Sequence, residues 1–294
     1  MQVFKRPPLP PLGVRDYTFE WGSRTFVMGI INTTPDSFSG DGIGNDAVRA
    51  ARYAIGFVAA GADVIDIGGE STRPGHQPVS EEEELRRVIP AIAAVRSAVD
   101  IPLSVDTFKP AVAVEAIAAG ADIINCVWGA IPGIAELATR AKIPLIVMHN
   151  RVNSDYDGDC VSEVISSLEL AARYARDAGL PREHIIVDPG IGFGKSADHN
   201  VQIIARLHEF VERLPYPLLI GLSRKSFIGK ITGEAVEERA FGTAAAIALS
   251  IAGGADIVRV HDVAQMSSVA RVADAIVRVG AAPTPPRLSA FHQL

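Results

Sequence analysis

The chain beyond residue 25 alternates between short apolar runs and longer amphipathic segments that are rich in alanine. Continuous apolar runs are typical of strands buried on both faces, and their alternation with helices indicates a parallel sheet. The apolar runs predict strands at 26–31, 63–67, 102–105, 122–125, 144–148, 185–187, 218–222 and 256–260. The amphipathic segments predict helices at 46–60, 81–99, 110–119, 132–140, 160–178, 199–213, 237–252 and 262–279.

Eight strand–helix units in about 250 residues are typical of one α/β fold, the (β/α)8 TIM barrel. A doubly wound open sheet is the alternative, but it needs fewer strands or a reversal of strand order that the regular spacing does not suggest. Alternating residues from 16 to 31 predict an N-terminal β-hairpin with its turn at Gly22-Ser23, which could close the bottom of the barrel. We therefore expect an arm at 1–15, the barrel at 16–282 and a tail at 283–294.

A four-residue signal recurs directly before two predicted strands, and a close variant precedes a third. The segments are Ala60-Gly61-Ala62-Asp63, Ala119-Gly120-Ala121-Asp122 and Gly253-Gly254-Ala255-Asp256. A glycine that follows a helix favours a left-handed cap, after which the next strand starts at once. The signal therefore marks the same helix-to-strand connection in three of the eight units.

Composition narrows the class of protein without indicating an activity. Of the 294 residues 48% are apolar, enough for a large core, and a net charge of −6 argues against a nucleic-acid-binding surface, which needs a basic face. No run of about 18 apolar residues is present to span a membrane, and the first residues lack the apolar core of a signal peptide. The two cysteines, Cys126 and Cys160, make no disulfide framework. We expect a cytoplasmic protein.

Polar or ionisable side chains stand at the end of every predicted strand. They are, in strand order, Asn32, Asp66, Asp106-Thr107, Asn125, His149-Asn150, Asp188, Ser223-Arg224-Lys225-Ser226, and Arg259 with His261. One polar strand end is more often structural than functional, and a single histidine such as His149 is more often structural too. Because the carboxyl ends of barrel strands form one rim, where barrel enzymes bind their substrates, eight such ends together indicate a ligand site.

The acidic and amide side chains of this set indicate the class of ligand. Asp66, Asp106, Asn125 and Asp188 lie at or just inside the ends of apolar strands, where a carboxylate is costly unless it meets donors. Backbone groups or Lys225 could be those donors, in which case the cluster is structural. A purine- or pterin-like ring is the alternative, since a carboxylate accepts two parallel donors and asparagine pairs with one donor and one acceptor.

The basic residues indicate an anion beside that ring. Arg73, Arg259 and His261 could gather on a phosphate or a diphosphate. Asn32 could contact the Mg²⁺ that accompanies diphosphate, since this ion takes oxygen ligands and keeps several waters.

Two polar, glycine-rich loops, 33–44 and 70–80, have the composition of mobile lids. Ordinary surface loops are the alternative. However, Asp36, Phe38 and Arg73 are unusual contents for such loops, and a charged pair could hold two closing loops together.

Eight motifs carry a resemblance to one known family. They are MGIINTTPDSFS (28–39), IDIGGESTRPG (65–75), SVDT (104–107), IIN (123–125), MH (148–149), DPGIGFGK (188–195), GLSRKSFIG (221–229) and RVHDV (259–263). With these motifs the chain resembles the dihydropteroate synthase family of the folate pathway over roughly its whole length after the N-terminal arm. The STRPG and SRKS segments separate that family from the related pterin-binding methyltransferases.

The resemblance implies a barrel that is usually dimeric and that condenses 6-hydroxymethyl-7,8-dihydropterin diphosphate with 4-aminobenzoate, releasing diphosphate and needing Mg²⁺. It also implies a dissociative mechanism, in which diphosphate leaves first and the aniline nitrogen attacks a cationic pterin methylene. A non-catalytic pterin-binding paralogue and a methyltransferase of the related barrel family are the competing interpretations. The presence of Asp36, Arg73 and Lys225 argues against the paralogue, and a methyltransferase has no need of the Arg73 and Lys225 motifs.

The resemblance also implies roles for individual residues. The pterin would contact Asp66, Asp106, Asn125, Asp188 and Lys225. The diphosphate would contact Asn32, Arg73, Arg259 and His261, with Asn32 also near the metal. The 4-aminobenzoate, with which sulfonamides would compete, would contact Phe38, Thr72, Pro74, Arg224, Lys225 and Ser226. Catalysis would depend on Asp36, Arg73 and Lys225. One departure is Cys126, which stands where the family commonly has aspartate, so a supporting contact would be missing.

Overall fold

The computed structural model describes residues 7–34, 46–70 and 78–278. Ten strands are present in these ranges: β1 (Leu12–Val14), β2 (Tyr17–Phe19), β3 (Phe26–Asn32), β4 (Val64–Gly68), β5 (Leu103–Asp106), β6 (Ile123–Cys126), β7 (Leu145–Met148), β8 (Ile185–Asp188), β9 (Leu219–Gly221) and β10 (Ile257–Val260). The last eight form one parallel sheet in the order β8-β7-β6-β5-β4-β3-β10-β9. A parallel bridge between Val187 and Leu218 joins its two edge strands, so the sheet closes into the predicted barrel.

Helices connect the barrel strands on the outside. They are α1 (Ala47–Ala59), α2 (Glu81–Ala98), α3 (Pro110–Ala119), α4 (Ile134–Ala141), α5 (Cys160–Asp177), α6 (Ala197–Ala205), α7 (Leu207–Arg213), α8 (Ser226–Thr232), α9 (Ala240–Ala252) and α10 (Val263–Val277). Two features differ from the prediction. The helix expected at 199–213 is broken at Arg206, which leaves helical geometry with φ −113° and binds Asp159. The short helix α8 begins at Ser226, soon after β9 ends at Gly221, and was not predicted.

The predicted N-terminal hairpin exists, but its turn and the pairing of its strands were wrong. β1 pairs with β2 around Arg15-Asp16, so the hairpin begins inside the segment expected to be an extended arm. The segment expected to be its second strand, β3, pairs with β10 on one side and β4 on the other, in both cases in parallel. Both edges of β3 are therefore occupied, and no edge is left for an antiparallel partner.

The hairpin closes the bottom of the barrel, as expected. Its buried side chains form one apolar cluster with residues from the N-terminal halves of the barrel strands, among them Met28, Ile146 and Ile257. Tyr17 donates a hydrogen bond to the Asp63 carboxylate, which also receives the guanidinium of Arg24. The bottom of the barrel is thus filled by side chains of the hairpin and of the strand starts.

The recurring Gly-Ala-Asp signal has a second role that the sequence did not reveal. All three glycines have positive φ, namely 98° at Gly61, 116° at Gly120 and 102° at Gly254. The aspartate that follows each glycine accepts a hydrogen bond from the backbone N–H at the start of the preceding strand. The three bonds are Val27 N to Asp63 (2.8 Å), Leu103 N to Asp122 (2.9 Å) and Leu218 N to Asp256 (2.7 Å). Each carboxylate therefore ties two neighbouring strands together.

Among residues 7–34, 46–70 and 78–278, none of the helices combines the length and the apolar composition that a bilayer-spanning segment needs.

Candidate functional site

Four of the predicted residues meet inside the carboxyl end of the barrel. Arg259, on β10, donates from Nε to Asp66 on β4 (2.6 Å) and from Nη2 to Asp106 on β5 (2.8 Å). Asn125, on β6, donates its amide to the same oxygen of Asp66 (3.2 Å). Three neighbouring strands thus supply acidic or amide groups, and a fourth strand supplies the charge that balances them.

This cluster retains two acceptors that the described part of the protein leaves without a partner. The Oδ1 atoms of Asp66 and Asp106 are buried and accept no hydrogen bond there. Asp66 is fully buried, and Asp106 is 7% exposed. Buried polar atoms are nearly always satisfied, so two neighbouring orphan acceptors indicate that a ligand with N–H donors belongs here.

Burial also changes the protonation of the acids. Desolvation raises the pKa of Asp106 to about 7, although the positive charge of Arg259 acts in the opposite direction. Desolvation raises the pKa of Asp188, on β8, to about 6, opposed by a hydrogen bond from the backbone of Gly190 and by the charge of Lys225. A ligand that donates hydrogen bonds to these groups would favour their ionised forms.

The loop after β8 forms the wall beside Asp188. The N–H of Gly190 donates to Asp188 at 2.7 Å. Glycine is needed at 190, where φ is 68° and a Cβ would lie 1.9 Å from the carbonyl oxygen of His149. Farther along the loop, the ring of Phe193 lies 4.0 Å from the ammonium of Lys225, a cation–π contact. Lys225, the N-cap residue of α8, is therefore supported in part by this loop.

His149 and Lys195 form a polar pair behind this loop. The Lys195 ammonium donates to Nδ1 of His149 at 2.8 Å and to the carbonyl oxygen of Phe193 at 2.9 Å. Burial, with the nearby charge of Lys195, lowers the pKa of His149 to about 3, so the ring is a neutral acceptor. A structural role is the more frequent one for a strand-end histidine such as His149, and the sequence predicted no role for Lys195, although the GFGK segment that contains it is visible.

The described basic residues at the strand ends have different hydrogen-bond partners. Arg259 is held by the acidic cluster, whereas Nδ1 of His261 lies 2.9 Å from the hydroxyl of Ser223. Arg224 donates twice to Asp262, at 3.0 Å and 2.6 Å. Arg259, which was expected to bind an anion together with His261, is therefore also the counter-ion of Asp66 and Asp106.

The remaining predicted residues stand at the rim or outside the described ranges. Asn32 is half-buried at the last position of β3, and Ser226 is exposed at the first position of α8. The predicted positions Asp36, Phe38, Thr72, Arg73 and Pro74 lie outside the described residues.

Asn32 offers one side-chain oxygen to a metal ion, which suits a magnesium ion shared with a substrate better than a site formed by protein ligands alone. Within the described ranges, no group of three or more histidine, cysteine or acidic side chains could hold a metal. Magnesium, however, is often bound through one or two protein oxygens together with substrate phosphates and waters. The amide oxygen of Asn32 fits that kind of site.

A buried ion cluster beside the second of the two loops was not predicted from the sequence. The Lys109 ammonium binds Glu70 at 2.6 Å, Glu84 at 2.7 Å and the carbonyl oxygen of Val79 at 2.6 Å. Glu70 also accepts from the N–H of Val79. The acids 81–84 do open helix α2, behind the N-cap Ser80, but Glu84 is only 1% exposed and belongs to this cluster as well.

Cys126 does not face the ligand cavity. It is fully buried in the apolar layer between the barrel and its helices, and burial raises the pKa of its thiol to about 12. The neighbouring Asn125 points to the opposite side of β6, toward Asp66. A cysteine at 126 therefore leaves the acidic cluster intact.

Comparison with known proteins agrees with this geometry. The model of the pterin-binding enzyme family matches residues 28–261. The dihydropteroate synthase of Synechocystis is 49% identical over 279 residues, which cover 92% of this chain and 96% of that protein. The solved Yersinia pestis dihydropteroate synthase, in a sulfonamide drug complex, has a TM-score of 0.86 at 38% identity and covers 91% of this chain and 99% of its own.

A further solved structure holds a ligand of direct relevance. The dihydropteroate synthase of Xanthomonas albilineans, in complex with 7,8-dihydropteroate, has a TM-score of 0.82 at 40% identity, covering 91% of this chain and 98% of its own. The family model and these relatives extend over both the barrel and the strand ends that form the acidic cluster. The chain belongs to the pterin-binding enzyme family and, within it, to the dihydropteroate synthases.

Proposed function

We propose that this chain joins 6-hydroxymethyl-7,8-dihydropterin diphosphate to 4-aminobenzoate, giving 7,8-dihydropteroate and diphosphate in folate synthesis. The observation that carries the proposal is the buried pair Asp66 and Asp106, each with one carboxylate oxygen that lacks a donor within the described residues. A reduced pterin has adjacent ring N–H and amino donors, which suit two such acceptors. The dihydropteroate bound by the Xanthomonas relative is the product of this condensation.

The pterin end of the substrate accounts for the acidic groups. Asp106, Asn125 and Asp188 bind the polar edge of the ring, with Asp66 beneath them, and Lys225 donates from the rim. Once the ring donors engage the carboxylates, those acids become ionised, because a hydrogen bond to the charged form lowers a raised pKa. Binding of the pterin and ionisation of these acids are thereby linked.

The reaction is a substitution at the pterin methylene. The C–O bond to diphosphate breaks first and diphosphate keeps the electron pair, which leaves a positive charge on the methylene and ring. Negative charge on Asp106 and Asp188 stabilises this cation and so lowers the barrier. The lone pair of the 4-aminobenzoate nitrogen then forms the C–N bond, and the nitrogen releases one proton.

The anionic end involves the basic residues and Asn32. Arg259 and His261 contact the leaving diphosphate, and from the sequence we assign Arg73 to the same role and Asp36 to catalysis. Magnesium, when bound, neutralises charge on the diphosphate, and Asn32 is the described residue that would contact it. For the 4-aminobenzoate we propose Arg224, Lys225 and Ser226, together with Phe38, Thr72 and Pro74 from the loops.

The experiment is diphosphate release from the dihydropterin diphosphate with Mg²⁺, measured with and without 4-aminobenzoate. We expect release that depends on 4-aminobenzoate and yields dihydropteroate. Lys225→Ala should lower turnover at least tenfold, about 1.4 kcal/mol in barrier, and so should Arg73→Ala. Lys230→Met, at an exposed lysine on α8, is the matched control. Pterin binding without turnover would instead favour the non-catalytic paralogue, and wild-type rates in both variants would refute the site.

We further propose that the protein is a cytoplasmic homodimer. Exposed apolar side chains on the adjoining helices α9 and α10 support a dimer, namely Phe241, Leu249, Val272 and Ile276. Both cysteines are unpaired, which suits a reducing compartment. Sedimentation of wild-type protein and of a Phe241→Asp variant tests the dimer, since a charge in the interface should yield monomers. Cell fractionation tests the location.

A further inference from the structure

The glycine-rich loop after β8 is held at three consecutive residues by three different side chains. The N–H of Gly192 donates to Asn200 at 2.8 Å, and the carbonyl oxygen of Gly194 accepts from the hydroxyl of Tyr156 at 3.1 Å. The carbonyl oxygen of Phe193, between them, accepts from Lys195 at 2.9 Å. Lys195 is therefore the side chain that fixes the residue whose ring faces the site.

Lys195 also ties this loop to the neighbouring strand end. The same ammonium donates to Nδ1 of His149, directly after β7, at 2.8 Å. Burial lowers the pKa of Lys195 to about 7; the charge of Asp188 opposes this shift, and the charges of Lys225 and Arg151 add to it. The thiol of Cys160, on α5, is a further ionisable group near it. Both the charged and the neutral amine can donate to His149 and Phe193.

The ring of Phe193 packs against the side chain of Lys225. The Lys225 ammonium lies 4.0 Å from the centre of that ring, and its aliphatic stem passes the backbone of Gly192, where a Cβ would come within 3.1 Å of it. A shift of the Phe193 backbone would therefore move the surface against which Lys225 rests. Lys225 is the cation that the proposed pterin site needs at its rim.

We propose that Lys195 is a positioning residue for Lys225: by holding the carbonyl of Phe193 against His149, it fixes the ring on which the Lys225 ammonium rests. This inference rests on the proposed role of Lys225 in pterin binding. Lys195 acts through Phe193 and Lys225 and not by binding a substrate itself. Because Lys225 is proposed to contact both the pterin and the 4-aminobenzoate, the loss of Lys195 should weaken the binding of both.

The test is a double-mutant cycle with separate KM values for the two substrates. Lys195→Met should raise KM for the pterin diphosphate about five- to tenfold, the range expected for one or two lost hydrogen bonds. The KM for 4-aminobenzoate should rise as well, because Lys225 is proposed to contact both substrates. Phe193→Leu keeps the carbonyl and removes the ring, so adding Lys195→Met to it should cost less than a further twofold. Lys230→Met again serves as the control.

Three results would overturn the inference. One is that Lys195→Met has wild-type kinetics while Lys225→Ala is impaired. Another is that the effects of Lys195→Met and Phe193→Leu on KM multiply in the double variant. Wild-type rates in Lys225→Ala would overturn the proposed pterin site and the inference with it. Thermal unfolding checks that each variant is folded. If Lys195→Met fails to fold, Lys195→Gln gives the same comparison, because its shorter amide cannot reach both acceptors.

Discussion

Replacing Asp106 by asparagine should make the protein more stable at alkaline pH while it abolishes efficient catalysis. The pKa of Asp106 is raised from 3.8 to about 7, mainly by burial. One pKa unit corresponds to 1.36 kcal/mol, so keeping this carboxylate ionised costs the folded state roughly 4 kcal/mol. Asparagine has the same shape and removes that cost.

The attraction of Arg259 is already included in this cost, because its positive charge lowers the pKa of Asp106 against the effect of burial. After the substitution Arg259 keeps Asp66, which it binds at 2.6 Å. The variant should therefore be more stable than wild type at pH 8 by up to about 4 kcal/mol.

The pH dependence gives the sharper test. Between the unfolded pKa near 4 and the folded pKa near 7, the native wild-type protein holds a proton that the unfolded chain has lost. The unfolding free energy of wild type therefore falls as pH rises through this window, and the contribution is absent in Asp106→Asn. The advantage of the variant should be largest at pH 8 and should disappear by about pH 5.

Urea unfolding at pH 5, 6, 7 and 8 measures this difference, and diphosphate release measures the loss of activity, which should be at least tenfold. Glu115→Gln, at an exposed acid on α3, is the control and should shift stability little at any pH. A variant that is less stable than wild type at pH 8, or whose difference from wild type does not change with pH, would refute the reasoning.

Two further predictions concern the scaffold. Gly190→Ala should destabilise the protein by several kcal/mol or prevent folding, because its Cβ would lie 1.9 Å from the His149 oxygen at a positive φ. Gly56→Ala, with open space around the Cβ, should be neutral or slightly stabilising, and thermal melts of both variants measure the difference. Asp256→Ala should cost about 1–3 kcal/mol by leaving the N–H of Leu218 unsatisfied, which denaturant unfolding measures; an unchanged midpoint would contradict the assigned strand tie.

The barrel itself could be predicted because its strands have a local signature. Every predicted strand corresponds to a strand of the structure within about two residues, since continuous apolar runs depend only on neighbouring positions. The hairpin partner could not be found in this way. Which strand pairs with β3 depends on which edges are free, and both edges were taken by strands distant in sequence.

The acidic residues of the site could be predicted from the sequence, but the residues that they bind could not. Asp66, Asp106 and Asn125 were expected to lie together because they follow neighbouring parallel strands, and they do. Arg259 was assigned to an anion alone because sequence does not show that the two acids are its nearest counter-charges. The contact between Lys109 and Glu70 joins positions 39 apart, which no local pattern encodes.

The three aspartate hydrogen bonds described above also join six of the eight barrel strands into three pairs. Asp63 links β3 to β4, Asp122 links β5 to β6, and Asp256 links the start of β9 to β10, so no strand takes part in two ties. A chain cut within α4 would leave every one of these ties inside a single fragment. A cut within α3 would separate Asp122 from Leu103. Complementation of split fragments should therefore succeed at α4 more readily than at α3.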